Sequence, residues 1–139
     1  MKRRIIKEEK ECIIKKISTK LNELMYIKFA YIFGSFMKEK EFSDIDIGIY
    51  IEEKEINDYL DIELDLEEEL QSIINLPVDV RIINHAPLSF VYHVIKEGVL
   101  ILERDTLKRS DFESLIFKKY FDFSHFRREY LKEVVNAPI

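Results

Sequence analysis

The feature that most restricts this chain is a pair of aspartates, Asp44 and Asp46, opening an apolar run that ends at Ile51. Residues alternate faces along a strand, so both carboxylates share one face while Ile45, Ile47 and Ile49 share the other. Two anions so placed repel one another. Divalent cations between them make the arrangement tolerable, and carboxylate oxygens suit hard cations such as Mg²⁺. Upstream, the apolar stretch Ile27–Phe33 predicts a buried strand, and Gly34-Ser35 predicts a turn opening toward the carboxylate face. Backbone N–H groups in such a turn receive phosphate. Carboxylates able to hold metal beside a phosphate cradle point to chemistry on a nucleoside triphosphate.

Two further stretches bear on that chemistry. Residues 36–43 read as a short polar connector in which Lys38 and Lys40 either reach triphosphate oxygens or belong to a solvated loop of mixed charge. Residues 78–83 predict a third strand with Asp79 inside an apolar run. A carboxylate there is costly unless paired or metal-bound, and Arg81 is the same-face neighbour able to pair with it. Both readings of Asp79 stand at the level of residue chemistry.

Taken together, the strand, Gly34-Ser35, the connector, Ser43-Asp44-Ile45-Asp46 and the apolar strand resemble the nucleotidyltransferase superfamily, the DNA polymerase beta-like proteins. Its pattern is Gly-Ser, several residues, Asp-x-Asp, and a third carboxylate on a later strand, where Asp79 falls. Within it, the chain looks most like the small MNT (minimal nucleotidyltransferase) proteins. The segment Ile83-Asn84-His85-Ala86-Pro87 matches their frequent Leu-Asn-x-Ala-Pro, and residues 95–105 are similar too. The connector departs from the pattern: Phe36, Met37 and Glu39 stand where small and basic residues are usual, which bears on triphosphate contacts more than on metal. The resemblance implies catalysis by Asp44, Asp46 and Asp79 on two Mg²⁺ ions, with ATP as substrate and Gly34, Ser35, Lys38 and Ser43 at the nucleotide. It also implies an antitoxin that moves AMP onto a tyrosine of a HEPN ribonuclease toxin. Two rivals stay open, a nucleotidyltransferase for a small molecule such as an aminoglycoside and a non-catalytic antitoxin that acts by binding alone.

Length and composition bound the rest. At 139 residues, 47% apolar and 35% charged, the chain suits one compact domain with a real core. A net charge of −5 provides no basic field for nucleic acid. The single Cys12 cannot close an intramolecular disulfide. No apolar run approaches the ~20 residues of a membrane span, and the charged start MKRRIIKEEK is unlike a signal peptide. A cytoplasmic protein is expected. The predicted architecture is α/β, a small mixed, strongly twisted sheet with helices mainly on one face and the carboxylates on the open side. One domain over 1–139 is expected, with a core of about 25–105. Helices are predicted over residues 3–24, within 52–75, from Pro87 to Gly98, and over 110–135, with a strand over 99–102. The acidic residues of 52–75 read as a solvated face. The aromatics Tyr120, Phe123 and Phe126 read as core or as a partner surface.

Overall fold

The computed structural model describes residues 3–4, 6–38, 41–53 and 58–136. Along the chain run β1 (Arg3–Arg4), α1 (Lys7–Asn22), β2 (Ile27–Phe33), α2 (Ser35–Lys38), β3 (Glu41–Phe42) and β4 (Ile45–Ile51). They are followed by α3 (Tyr59–Ile74), β5 (Val78–Ile82), α4 (Leu88–Glu97), β6 (Val99–Glu103) and α5 (Thr106–Asn136). Four strands form a mixed sheet in the order β5-β4-β2-β6, and β1 pairs with β3 in a separate ribbon. Strands β2 and β4 are antiparallel, as are β2 and β6, while β4 and β5 are parallel. A parallel neighbour requires a crossover, and α3 supplies it. The expected α/β class, with its C-terminal helix, is what the structure shows.

Helices cover both faces of the sheet rather than mainly one. On the first face Ala30, Ile32, Ile45, Ile47, Ile49 and Val80 pack against Ile17 and Leu21 of α1 and Leu66 and Leu70 of α3. On the second, Phe29 and Tyr31 pack against Val91, Tyr92 and Val94 of α4 and Ile116 of α5. Strand β2 is therefore buried on both sides, which accounts for its unbroken apolar sequence. Gly48 sits under α4, where a Cβ would meet Val94 and Ile83 side-chain carbons at 3.1 and 3.2 Å. Its bare backbone lets the helix lie close to the carboxylate face.

Several boundaries differ from expectation for physical reasons. Helix α1 begins at Lys7, because residues 3–4 pair with 41–42 instead of continuing the helical pattern. The connector is no polar loop. Phe36 and Phe42 are fully buried and meet edge to face at 4.9 Å, and Lys10 Nζ donates to the Phe36 carbonyl. Lys40, read as either a triphosphate contact or part of a solvated loop, and Glu39 lie outside the described residues, as do residues 54–57 ahead of α3. Helix α3 starts where the Asp58 side chain accepts from the Asp61 N–H, and ends at Asn75 in the left-handed region, just ahead of Pro77. Helix α5 starts earlier than predicted because Asp105 accepts from the Lys108 N–H at 3.0 Å and caps it.

The acidic face of α3 also has work that periodicity did not reveal. Strand β5 is an edge, and the side chains of Glu63, Glu67 and Gln71 accept its Ile82, Val80 and Val78 N–H groups at 2.9–3.0 Å. Spaced four apart on one helical face, they satisfy every second amide of the edge. Asn84 does the same for β4, accepting from the Ile51 N–H and donating to its carbonyl. These bonds fix β5 and the turn after it, and so fix Asp79.

Candidate active site

Strand register brings the predicted residues together. Asp46 lies opposite Phe33 of β2 and opposite Asp79 of β5, so the two aspartates are neighbours across a parallel pair. Asp44 immediately precedes β4 and is half-buried, with Ser43 exposed beside it. Gly34 follows β2 with φ of 81°, a left-handed conformation that side chains resist. A Cβ added there would overlap the Asp46 carboxylate oxygen Oδ2. Glycine is thus required twice at this position, for the turn and for the approach. Ser35 begins the short helix α2 directly after it.

Electrostatics mark Asp46 as the unusual carboxylate. Burial pushes its pKa from 3.8 up to about 6, the charges of Asp44 and Asp79 push the same way, and Arg81 opposes them. Asp79 Oδ1 accepts from Arg81 Nε at 3.3 Å, the pairing that residue chemistry had offered as its alternative. At that length, and with both side chains substantially exposed, the bond is weak. Lys38 is engaged elsewhere: its Nζ lies 2.7 Å from Glu97 Oε2 at the end of α4, and it holds that carboxyl below its usual pKa.

Among the described residues, no three His, Cys, Asp or Glu side chains are gathered into a ready metal cage. The donor set nevertheless fits a hard divalent cation. It consists of carboxylate oxygens from adjacent strands whose mutual repulsion and burial disfavour the charge on Asp46, and a cation relieves both.

Sequence reasoning did not find the polar cluster just past the far end of β4 from Asp46. Glu53 accepts from the Tyr59 hydroxyl at 2.6 Å and from Asn84 Nδ2 at 2.9 Å, and lies 3.0 Å from His85 Nε2. Its members come from the end of β4, the start of α3 and the turn after β5, so no spacing in the chain announces them. The Phe33–Phe90 edge-to-face contact at 5.6 Å, which ties α4 to the strand carrying Gly34, was equally invisible.

The mixed sheet thus carries Asp46 on β4 with Asp44 just ahead of it, Asp79 on the parallel neighbour β5, and Gly34 closed against Asp46. Residues 15–107 match the family Polymerase beta, Nucleotidyltransferase, and the chain belongs to that family. No curated protein matches it in sequence. Among solved structures, the chain is similar to one from the tri-AMPylated Shewanella oneidensis HEPN toxin in complex with MNT antitoxin. That match has a TM-score of 0.69 and 20% identity, covering 91% of this chain and 98% of the other. Similar too are chains of the toxin-antitoxin MntA-HepT (TM-score 0.68, 19% identity, 90% and 98% covered) and of a toxin-antitoxin with AMP-PNP (TM-score 0.67, 20% identity, 90% and 98% covered). At such identities the likeness is one of fold. No helix among the described residues is long and apolar enough to cross a membrane.

Proposed function

We propose that this chain is an Mg²⁺-dependent nucleotidyltransferase that moves AMP from ATP onto a tyrosine of a HEPN toxin, and that it serves in the cytoplasm as that toxin's antitoxin. The observation that carries the reading is the strand register, with Asp46 between Gly34 and Asp79. Family membership supports nucleotidyl transfer. The similar complexes of an MNT antitoxin with an AMPylated HEPN toxin, and of a toxin-antitoxin with AMP-PNP, support the acceptor and the nucleotide.

In this mechanism Asp44, Asp46 and Asp79 would be the carboxylates that hold the Mg²⁺ ions. Bound Mg²⁺ supplies the positive charge that offsets charge developing on the α-phosphoryl group and pyrophosphate. Gly34 and Ser35 seat the triphosphate through backbone N–H groups and the Ser35 hydroxyl, with Ser43 at its flank. Lys38 joins them after exchanging Glu97 for phosphate. Asp79 takes the proton of the acceptor hydroxyl as the new P–O bond forms.

Intact-mass spectrometry of the neighbouring gene's product, after incubation with this protein, ATP and Mg²⁺, tests the reading. The expected result is a gain of one or more AMP masses that Asp44→Ala/Asp46→Ala abolishes. A stable complex without mass gain, with the toxin still silenced by the triple carboxylate variant, establishes the binding-only antitoxin instead. The engagement of Lys38 with Glu97 is the observation that favours this second reading.

A further inference from the structure

Beyond the edge strand β5 lies a cleft of about 530 Å³, between the first turn of α3, the turn after β5 and the first turn of α4. Leu60, Pro87 and Phe90 form its apolar wall, and Arg81, Tyr59 and His85 its polar one. Two contacts join it to the carboxylates. Phe90 abuts Phe33, next to Gly34, and Arg81 donates to Asp79. The order β2-β4-β5 sets out, from one side to the other, Gly34-Ser35, then Asp44 and Asp46, then Asp79, and the cleft begins at Arg81, two residues further along β5. An in-line displacement places the attacking oxygen opposite the leaving group. With the triphosphate seated at Gly34, the acceptor enters from the β5 side.

We propose that this cleft receives the acceptor as an aromatic hydroxyl side chain, a tyrosine, and that Arg81 is the positioning residue coupling its occupancy to Asp79. The inference rests on the nucleotidyl-transfer reading above. The volume suits one large side chain with its flanking backbone. Leu60, Pro87 and Phe90 reward a ring and offer little to a serine or sugar hydroxyl. The Tyr59 and His85 rings lie parallel within 3°, held by Glu53, and give the rim a fixed planar edge. While the cleft is empty, Arg81 balances the charge of Asp79. An incoming ring offers the guanidinium a π-face, which draws Arg81 off Asp79 Oδ1 as the hydroxyl arrives. The phenolic oxygen then bonds to the α-phosphorus, the bond from that phosphorus to pyrophosphate breaks, and the phenolic proton passes to Asp79.

The test is an NMR titration of the full chain with N-acetyl-L-tyrosinamide, beside one with ATP and Mg²⁺. The tyrosine probe is expected to shift Leu60, Ile82 and Phe90 saturably, and N-acetyl-L-serinamide is expected to leave them unmoved. Phe90→Ala, and Leu60→Ala at a position already 60% exposed, should each weaken the probe by about fivefold or more while leaving ATP affinity unchanged. In the transfer assay Arg81→Met should lower kcat with little change in the KM for ATP, and Arg81→Lys should restore part of it. Probe shifts that map elsewhere, or a folded Leu60→Ala protein that binds the probe as tightly as before, overturn the proposal. ATP shifting the cleft and losing affinity in the same variants overturns it too, by assigning the cleft to the nucleotide. Failure of the underlying reading reads differently: the probe occupies the cleft, yet no acceptor gains AMP.

Discussion

At the residue scale, Asp46 carries both the promise and the cost of the site. A carboxyl whose pKa is higher folded than unfolded binds protons more tightly in the native state. Stability of the metal-free protein therefore falls as pH rises from about 4 to about 6, and levels off above. Discounted for its partial exposure, the penalty at neutral pH is about 1 kcal/mol. Asp46→Asn should recover that amount in urea unfolding at pH 7.5 with chelator present, show little gain at pH 4, and lose nucleotidyl transfer by about 100-fold or more. No gain at pH 7.5 would show that neither burial nor the charges of Asp44 and Asp79 oppose its ionisation. Gly34→Ala combines a left-handed φ with overlap onto Asp46, and should cost about 1–2 kcal/mol along with most of the activity.

At the element scale, the acidic helix α3 is an edge guard. Glu67→Ala strips the acceptor from the Val80 N–H and should cost about 1 kcal/mol, with loss of hydrogen-exchange protection at Val80; Glu67→Gln, which keeps an oxygen acceptor, should retain the protection. An unchanged Val80 exchange rate in the alanine variant would mean the edge needs no guard. The connector is an element in its own right. Phe36 is fully buried against Phe42 and beneath Lys10, and Phe36→Ala should cost about 3–5 kcal/mol by thermal or urea unfolding, far more than any solvated loop position allows. Substituting this element therefore changes the fold before it changes the triphosphate contacts.

At the scale of the whole molecule, the two helix layers have different fates. Helices α1 and α3 are bound into one core, but α5 packs on β2 and α4 through Phe112, Ile116, Phe117 and Tyr120 and then runs on with Phe123, Phe126 and Tyr130 exposed. Of the two readings offered for these aromatics, Tyr120 is core while Phe123 and Phe126 are surface. Ending the chain after Ser124 should leave the unfolding free energy within about 0.5 kcal/mol, read by urea titration, since residues 125–135 are exposed throughout. A larger loss would mean that this segment is covered in solution. Arg104 holds the opposite end of the molecule, donating to the carbonyls of Asn22 and Ile27 and joining the exit of α1 to the start of β2.

What the amino-acid sequence settled by itself is everything that depends on alternation and on local backbone chemistry. Period-two spacing placed Asp44 and Asp46 on one face, an apolar run made β2 central, and Gly34-Ser35 marked a turn that only glycine adopts easily. Asp79 stood out because charge inside an apolar strand demands a partner. Tertiary structure decided what depends on contacts between distant segments. It paired Asp46 with Asp79 in register, tied Lys38 to Glu97, turned Glu63 and Glu67 from solvated charges into acceptors for β5, and packed the connector into the core through Phe36. Helices came to lie on both sheet faces because Phe29 and Tyr31, alternating with Ala30 and Ile32, are as apolar as their neighbours and need cover of their own. A strand's own sequence shows that both its sides avoid water; which helices cover each side is fixed only when the chain closes on itself.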